Sequence, residues 1–134
     1  MAEQTAPAHS MPATGTFCWN ELATPDLAAT KKFYTELLGW TFKESQAAGM
    51  AYNEIVVGGQ HIGGMYQPGA ECSNAPTGWM SYIAVDDVDA RAKQVEELGG
   101  KVFVPPTDIP NVGRFCVISD PTGATLSLIK LGGA

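Results

Sequence analysis

ELATPDLAATKKFYTELLGW, residues 21–40, and YIAVDDVDARAKQVEELGGKV, residues 82–102, are the two stretches that decide the fold of this chain. In the first, Thr24-Pro25-Asp26 offers capping oxygens and a proline. Leu27, Thr30, Phe33, Tyr34, Leu37 and Leu38 then recur at helical spacing before Gly39 ends the run. That pattern predicts a helix of about three turns. In the second, Val88, Ala92, Val95 and Leu98 form the apolar stripe of a helix over Asp87 to Leu98. Asp26 precedes Leu38-Gly39 by the same interval at which Asp86 precedes Leu98-Gly99, so one unit is read as occurring twice.

Outward from these helices the periodicity drops to two, the spacing of strands. Before the first helix, Thr16 to Leu22 alternates and contains aromatic residues; after it come Trp40 to Glu44, Ala51 to Val57 and His61 to Tyr66, with Gly58-Gly59 as a hairpin turn. Around the second helix lie Trp79 to Val85, Lys101 to Val104, Gly113 to Ser119 and Ala124 to Leu131. The last two are joined by Asp120-Pro121-Thr122-Gly123, whose residues suit a type I turn. The reading is an α+β chain with a flexible tail over 1–15 and one domain over 16–131. Within it, module one covers 16–66, a Pro/Gly-rich linker 67–78 and module two 79–131.

Composition limits the functions to be considered. A chain of 134 residues with 45% hydrophobic and 16% charged residues is globular, and it can bury roughly two-thirds of its unfolded surface. With a formal net charge of -6 it offers no basic stripe, so neither nucleic acid nor a membrane is expected as a partner. Cys18, Cys72 and Cys116 are an odd set without CxxC spacing, which points away from disulfides and zinc knuckles and towards a reducing cytoplasm. Residues 1–15 have neither the basic start nor the apolar run of a signal peptide.

Three strings, residues 21–40, residues 82–102 and DPTGATLSLIK over 120–130, resemble the opening helix, the second-half helix and the closing hairpin of the vicinal oxygen chelate superfamily. That group includes glyoxalases, bleomycin-resistance proteins and extradiol dioxygenases. GTFCWNELATPD, GWMSYIAVDDVDA and DPTGATLSLI are similar to a glyoxalase-like bacterial branch of mostly unassigned activity. The resemblance spans 16–131 and implies two βαβββ modules that curl eight strands into an open cup, with helices outside and a small-molecule cavity inside. Metal-using members take one ligand from each of four strands, and the motifs carry those positions onto Trp19, Gly63, Met80 and Ser127. None is a competent ligand of the His, Gln or Glu kind, so neither a metal nor another cofactor is expected. The superfamily often forms dimers, which makes a homodimer the expected assembly.

Alternation along the cup's strands places Trp19, Glu21 and Ala23 inward, with Met80, Tyr82 and Ala84, Thr125, Ser127 and Ile129, and His61, Gly63 and Met65. Glu21 beside Trp19 is the candidate acid, base or hydrogen-bond acceptor, with a rim position in solvent as its plain alternative. Tyr82 is the candidate donor to a bound carbonyl. His61 is read either as a partner of Glu21 or as a surface histidine, and Trp19 and Met80 either as stacking surfaces or as core. Gly63 leaves room beside the cavity, or marks a bulge. Arg114 is read as an anion holder or a surface cation, and Cys116 as a nucleophile or a buried small hydrophobe.

Three functions remain open at this point. The first is a metal-independent protein that binds a small apolar or aromatic molecule. The second is a glyoxalase-type lyase or dioxygenase-related enzyme, with a displaced metal site or with metal-free chemistry by Glu21 and Tyr82. The third is a dimeric interaction module whose cup is filled by its own side chains.

Overall fold

The structure, a computed structural model, describes residues 12–47, 50–69 and 76–132. Most of the expected tail, the middle of the linker, His9 and Cys72 lie outside the described residues. The elements are β1 (Phe17–Ala23), α1 (Leu27–Leu38), β2 (Thr41–Ala47), β3 (Met50–Val57), β4 (Gln60–Tyr66), β5 (Gly78–Ala84), α2 (Val88–Glu97), β6 (Lys101–Ile109), β7 (Gly113–Ser119) and β8 (Thr125–Leu131). The order βαβββ therefore occurs twice, and the class is α+β as the periodicities predict. Residues 19–81 form one compact unit, and the described part of 1–18 joins 82–132 in the other.

In the unit of residues 19–81 the strands lie in the order β2-β3-β4-β1, with β1 parallel to β4 and the other pairs antiparallel. One face of this sheet is its core. Leu22, Ile55 and Met65 are buried there, and Leu27 and Tyr34 of α1 pack on them with Trp40 and Phe42. Tyr34 also stacks on Trp40 with ring centroids 4.8 Å apart. Asp26 starts α1 by accepting the Ala29 N–H on its side chain at 3.0 Å.

The hairpin between β3 and β4 turns at Gly58 and Gly59, both at positive φ (58° and 81°), as a type I′ turn requires. Just past it the ladder slips: Val56 pairs with His61 but Ile55 pairs with Gly63, so Ile62 is an extra, bulged residue. The bulge corrects the sequence-based register of β4. Gly64 and Tyr66, in register with Glu21 and Ala23, share the Glu21 face, whereas Met65 is fully buried on the helix side. Simple alternation from His61 misses this because a bulge reverses the parity beyond it.

The second unit repeats the plan. Its strands run β5-β8-β7-β6, with β5 parallel to β8, and Asp87 caps α2 through the Ala90 N–H at 3.0 Å. The cap shows that the counterpart of Asp26 is Asp87, not Asp86; α2 has 10 residues against 12 in α1, which made the two intervals agree by coincidence. Val85, Val88, Ala92, Cys116 and Leu128 form the core beneath α2. β6 extends to Ile109 through Pro105 and Pro106, where the sequence pattern suggests a loop from Pro105 onward. It ends the strand order and is laddered to β7, with two register slips, so prolines without N–H groups are tolerated there.

Candidate functional site

The face of β1, β4 and β3 turned away from α1 carries the most chemically organised cluster among the described residues. Cross-strand pairing puts Glu21 beside Gly64 and Gly64 beside Glu54, and alternation adds Trp19, Tyr52 and Tyr66 to the same side. The Trp19 indole Nε1–H donates to the Tyr52 hydroxyl at 2.9 Å, and that hydroxyl donates to Glu21 Oε2 at 2.8 Å. The direction is fixed by residue chemistry: an indole can only donate, so the one phenolic proton points to the carboxylate. Tyr52 is buried, and its ring lies roughly parallel to that of Tyr66 at 6.5 Å. It packs so closely over Gly64 that a Cβ at that position would come within 2.0 Å of its hydroxyl.

Burial, followed by the negative charge of Glu21, pushes the Tyr52 phenol well above its ordinary value of 10. The phenol therefore stays neutral in the folded chain, whereas an unfolded chain releases that proton near pH 10. The folded state then binds more protons than the unfolded one above that point, so stability falls as pH rises past 10. Relative to Tyr52→Phe, the parent chain is expected to lose up to about 1.4 kcal/mol per pH unit in that range. Urea denaturation of both proteins from neutral to strongly alkaline pH measures this; curves that stay parallel above pH 10 would refute it.

Beyond Tyr52 on β3, Glu54 accepts a hydrogen bond from Ser45 Oγ at 3.3 Å and is hydrogen-bonded to His61 Nδ1. His61, read either as a partner of Glu21 or as a surface histidine, is exposed and meets Glu54, because the Val56–His61 pair sets the imidazole diagonally across the ladder from Glu54. Sequence reasoning also missed Tyr52 and Glu54. Their parity was legible in Ala51 to Val57, but both faces of that strand mix polar with apolar residues, so nothing in the pattern said which face was the core.

The remaining candidates are dispersed. Tyr82 is buried on the α2-distal face of the second unit, opposite Ser127 in the ladder. Tyr52 is a phenol that meets Glu21. Ser127 is fully buried, and its Oγ has no hydrogen-bond partner among the described residues. Met80 is half-buried on β5, two residues before Tyr82. Gly63 is buried on the helix side, its Cβ position 2.6 Å from the Asn20 carbonyl oxygen. Gly64 holds the place in the first unit that Ser127 holds in the second, since Glu21 pairs with the one as Tyr82 pairs with the other. Arg114 is spent on structure. Its guanidinium forks onto Asp89 of α2 through two 2.9 Å bonds and reaches Asp108 with a third. Cys116 is buried and its thiol is pushed up by desolvation, which makes it a core residue and not a nucleophile.

A model of the Glyoxalase/Bleomycin resistance protein/Dioxygenase superfamily matches residues 15–128. The chain belongs to that superfamily. Among curated relatives, "Putative glyoxylase CFP32" of Mycobacterium tuberculosis is 44% identical over 87% of this chain and 44% of its own length. The anthracycline biosynthesis protein DnrV of Streptomyces peucetius is 34% identical over 90% of this chain and 48% of its own. The chain thus spans about half the length of these curated relatives. Among solved structures, methylmalonyl-CoA epimerase from Mycobacterium tuberculosis aligns with a TM-score of 0.64 at 17% identity, covering 93% of this chain and 95% of that one. The hypothetical protein BH1468 from Bacillus halodurans aligns at 0.66 and 13% identity, covering 90% and 96%. At these identities the likeness establishes the glyoxalase fold.

The superfamily's metal-using members make a divalent ion the obvious cofactor to test against this glyoxalase-superfamily chain. The described residues at the four positions those members use do not fit one. With β4 in its true register, the four positions carry an indole (Trp19), a hydrogen (Gly64), a thioether (Met80) and a hydroxymethyl (Ser127), which is no donor set for such an ion. Among the described residues, no three His, Cys, Asp or Glu side chains converge as metal ligands would. No helix among them is long and apolar enough to cross a membrane.

Proposed function

We propose that this chain binds a small molecule with a flat, apolar body against the Trp19–Tyr52–Tyr66 face of its first unit, without a metal ion. Glu21 serves as the polar anchor. The observation that carries this reading is the directed hydrogen-bond chain from Trp19 through Tyr52 to Glu21. It sets a carboxylate, oriented by a neutral phenol, in an aromatic wall. Apolar walls with a few fixed polar groups are the usual make-up of small-molecule sites.

A thermal-shift screen of planar aromatic compounds on tag-free protein tests the reading. A ligand at 100 times its Kd is expected to stabilise the chain by about 2.7 kcal/mol, and Tyr52→Phe is expected to weaken that ligand. Metal analysis of the same sample is expected to find no stoichiometric divalent ion, and EDTA is expected to leave the melting temperature unchanged. Stoichiometric metal, or no shift with any compound, would overturn the reading. A second reading, metal-free acid/base chemistry at Glu21, is favoured by the likeness to a relative named as a glyoxylase. A carboxylate held by Tyr52 is a base already oriented for proton abstraction. Turnover that is lost in Glu21→Gln while ligand affinity survives would separate catalysis from binding.

A further inference from the structure

We infer that this chain pairs with a second copy of itself through the flank of α1 that carries Phe33 and Leu37, in an isologous contact around a two-fold axis. The flank lies on the α1 side of the first unit's sheet, away from Trp19, Tyr52 and Glu21, so the inference stands independently of the small-molecule reading.

The repeat supplies an internal comparison. Asp26 and Asp87 cap equivalent helices, and the eighth residue after each cap, Tyr34 or Val95, packs on the core of its own unit. The residue before it points past the core in both. In α2 it is Gln94, exposed and hydrogen-bonded to Arg91, the ordinary make-up of a solvated helix surface. In α1 it is Phe33, 57% exposed, with Leu37 one turn further on at 61%. Leucine stands at the eleventh place after the cap in both helices, so what sets α1 apart is Phe33 and the rings around it. The Phe33 and Trp79 rings each pack edge-to-face with Tyr34, at 5.0 and 6.0 Å, and Trp40 completes the cluster. Trp79 is itself 45% exposed. No residue of α1 is buried, whereas α2 buries Val88 and Ala92.

Charge and area make a second copy the occupant. Lys32 and Glu36 border Phe33 on the outer side of α1, one turn apart and paired with each other at 2.7 Å. Antiparallel docking of α1 on α1 reverses their order, so Lys32 of each copy faces Glu36 of the other while Phe33 and Leu37 meet between them. Such a flank is its own electrostatic complement. Half-exposed aromatic side chains present roughly 100 Å² each, so with Leu37 the apolar patch is on the order of 300–400 Å², a size that marks an interaction surface on many monomers. Two such patches with their polar rims approach the roughly 1,000 Å² at which weak but specific dimers begin. Aromatic centres with charged rims are the usual anatomy of such contacts.

Sedimentation velocity of the full chain over about 1–100 µM tests the inference, the range in which a weak dimer dissociates. The mass is expected to rise from that of one chain towards that of two. Phe33→Gln, which installs the residue of α2 at this exposed place, is expected to keep the fold, as circular dichroism reads it, and to weaken the dimer at least about tenfold. Lys32→Glu alone and Glu36→Lys alone are each expected to weaken it about three- to tenfold, and an equimolar mixture of the two to regain the parent's affinity as a mixed dimer. The mixture isolates an interfacial role, since each variant has the same fold alone or mixed. A chain that stays single up to about 100 µM would overturn the second copy as the occupant. A dimer indifferent to Phe33→Gln, or a mixture no tighter than its components, would overturn this flank and its antiparallel docking.

Discussion

Gly64→Ala is expected to destabilise the chain by about 1–3 kcal/mol and to break the Trp19–Tyr52–Glu21 chain in the same stroke. The new methyl would stand 2.0 Å from the Tyr52 hydroxyl and 2.3 Å from Cζ, separations that no relaxation of the methyl itself relieves. The ring has to leave, and as it does it gives up its bonds to Trp19 and Glu21, each worth about 1 kcal/mol or somewhat more for the charged partner. Two measurements check this. Urea denaturation reads the loss of stability, and the Trp19 indole N–H resonance reads the lost hydrogen bond by moving towards its solvent-exposed position. The clash is specific to one ring, so in a Tyr52→Ala background the same glycine substitution is expected to cost under about 1 kcal/mol. A cost that is undiminished in that background would show that the ring is not what excludes a side chain there.

Met65→Ala, one residue further along β4, is expected to cost more, about 2–5 kcal/mol, and to leave the Trp19 resonance in place. Met65 is fully buried among Leu22 and Ile55 under α1, so its removal leaves a cavity that Leu27, Tyr34, Trp40 and Phe42 close only in part. Against a total stability of about 5–15 kcal/mol for a domain, that is a large fraction. Chemical denaturation supplies the number. The pair of substitutions also tests the strand's register: if Met65→Ala disturbed the Trp19 hydrogen bond and Gly64→Ala did not, the two faces of β4 would have been exchanged.

The helices and most strands were legible because their signals are local. Asp26 and Asp87 precede apolar residues at helical spacing, and the strands are short runs set between turn residues such as Gly39, Gly58-Gly59 and Asp120-Pro121-Thr122-Gly123. What was hidden depends on partners distant in sequence. The bulge at Ile62 is a property of how β4 meets β3, and β6 runs through two prolines only because it ends its sheet. Glu21 and Trp19 stood out as polar and aromatic residues on an inward strand. Tyr52 lies 31 residues from the one and 33 from the other, and no spacing rule joins them. Arg114 reads as a free cation in sequence for the same reason, since its partner Asp89 is 25 residues away on α2.

The fixed sense of the bonds around Tyr52 has one more implication. A wire that conducts protons must be able to turn over, every member giving in one direction what it receives from the other. An indole at one end that never accepts and a carboxylate at the other make this array a one-way brace. The chain of bonds thus offers Glu21 no path for a proton through Tyr52 to Trp19, and the array can only hold the carboxylate in place.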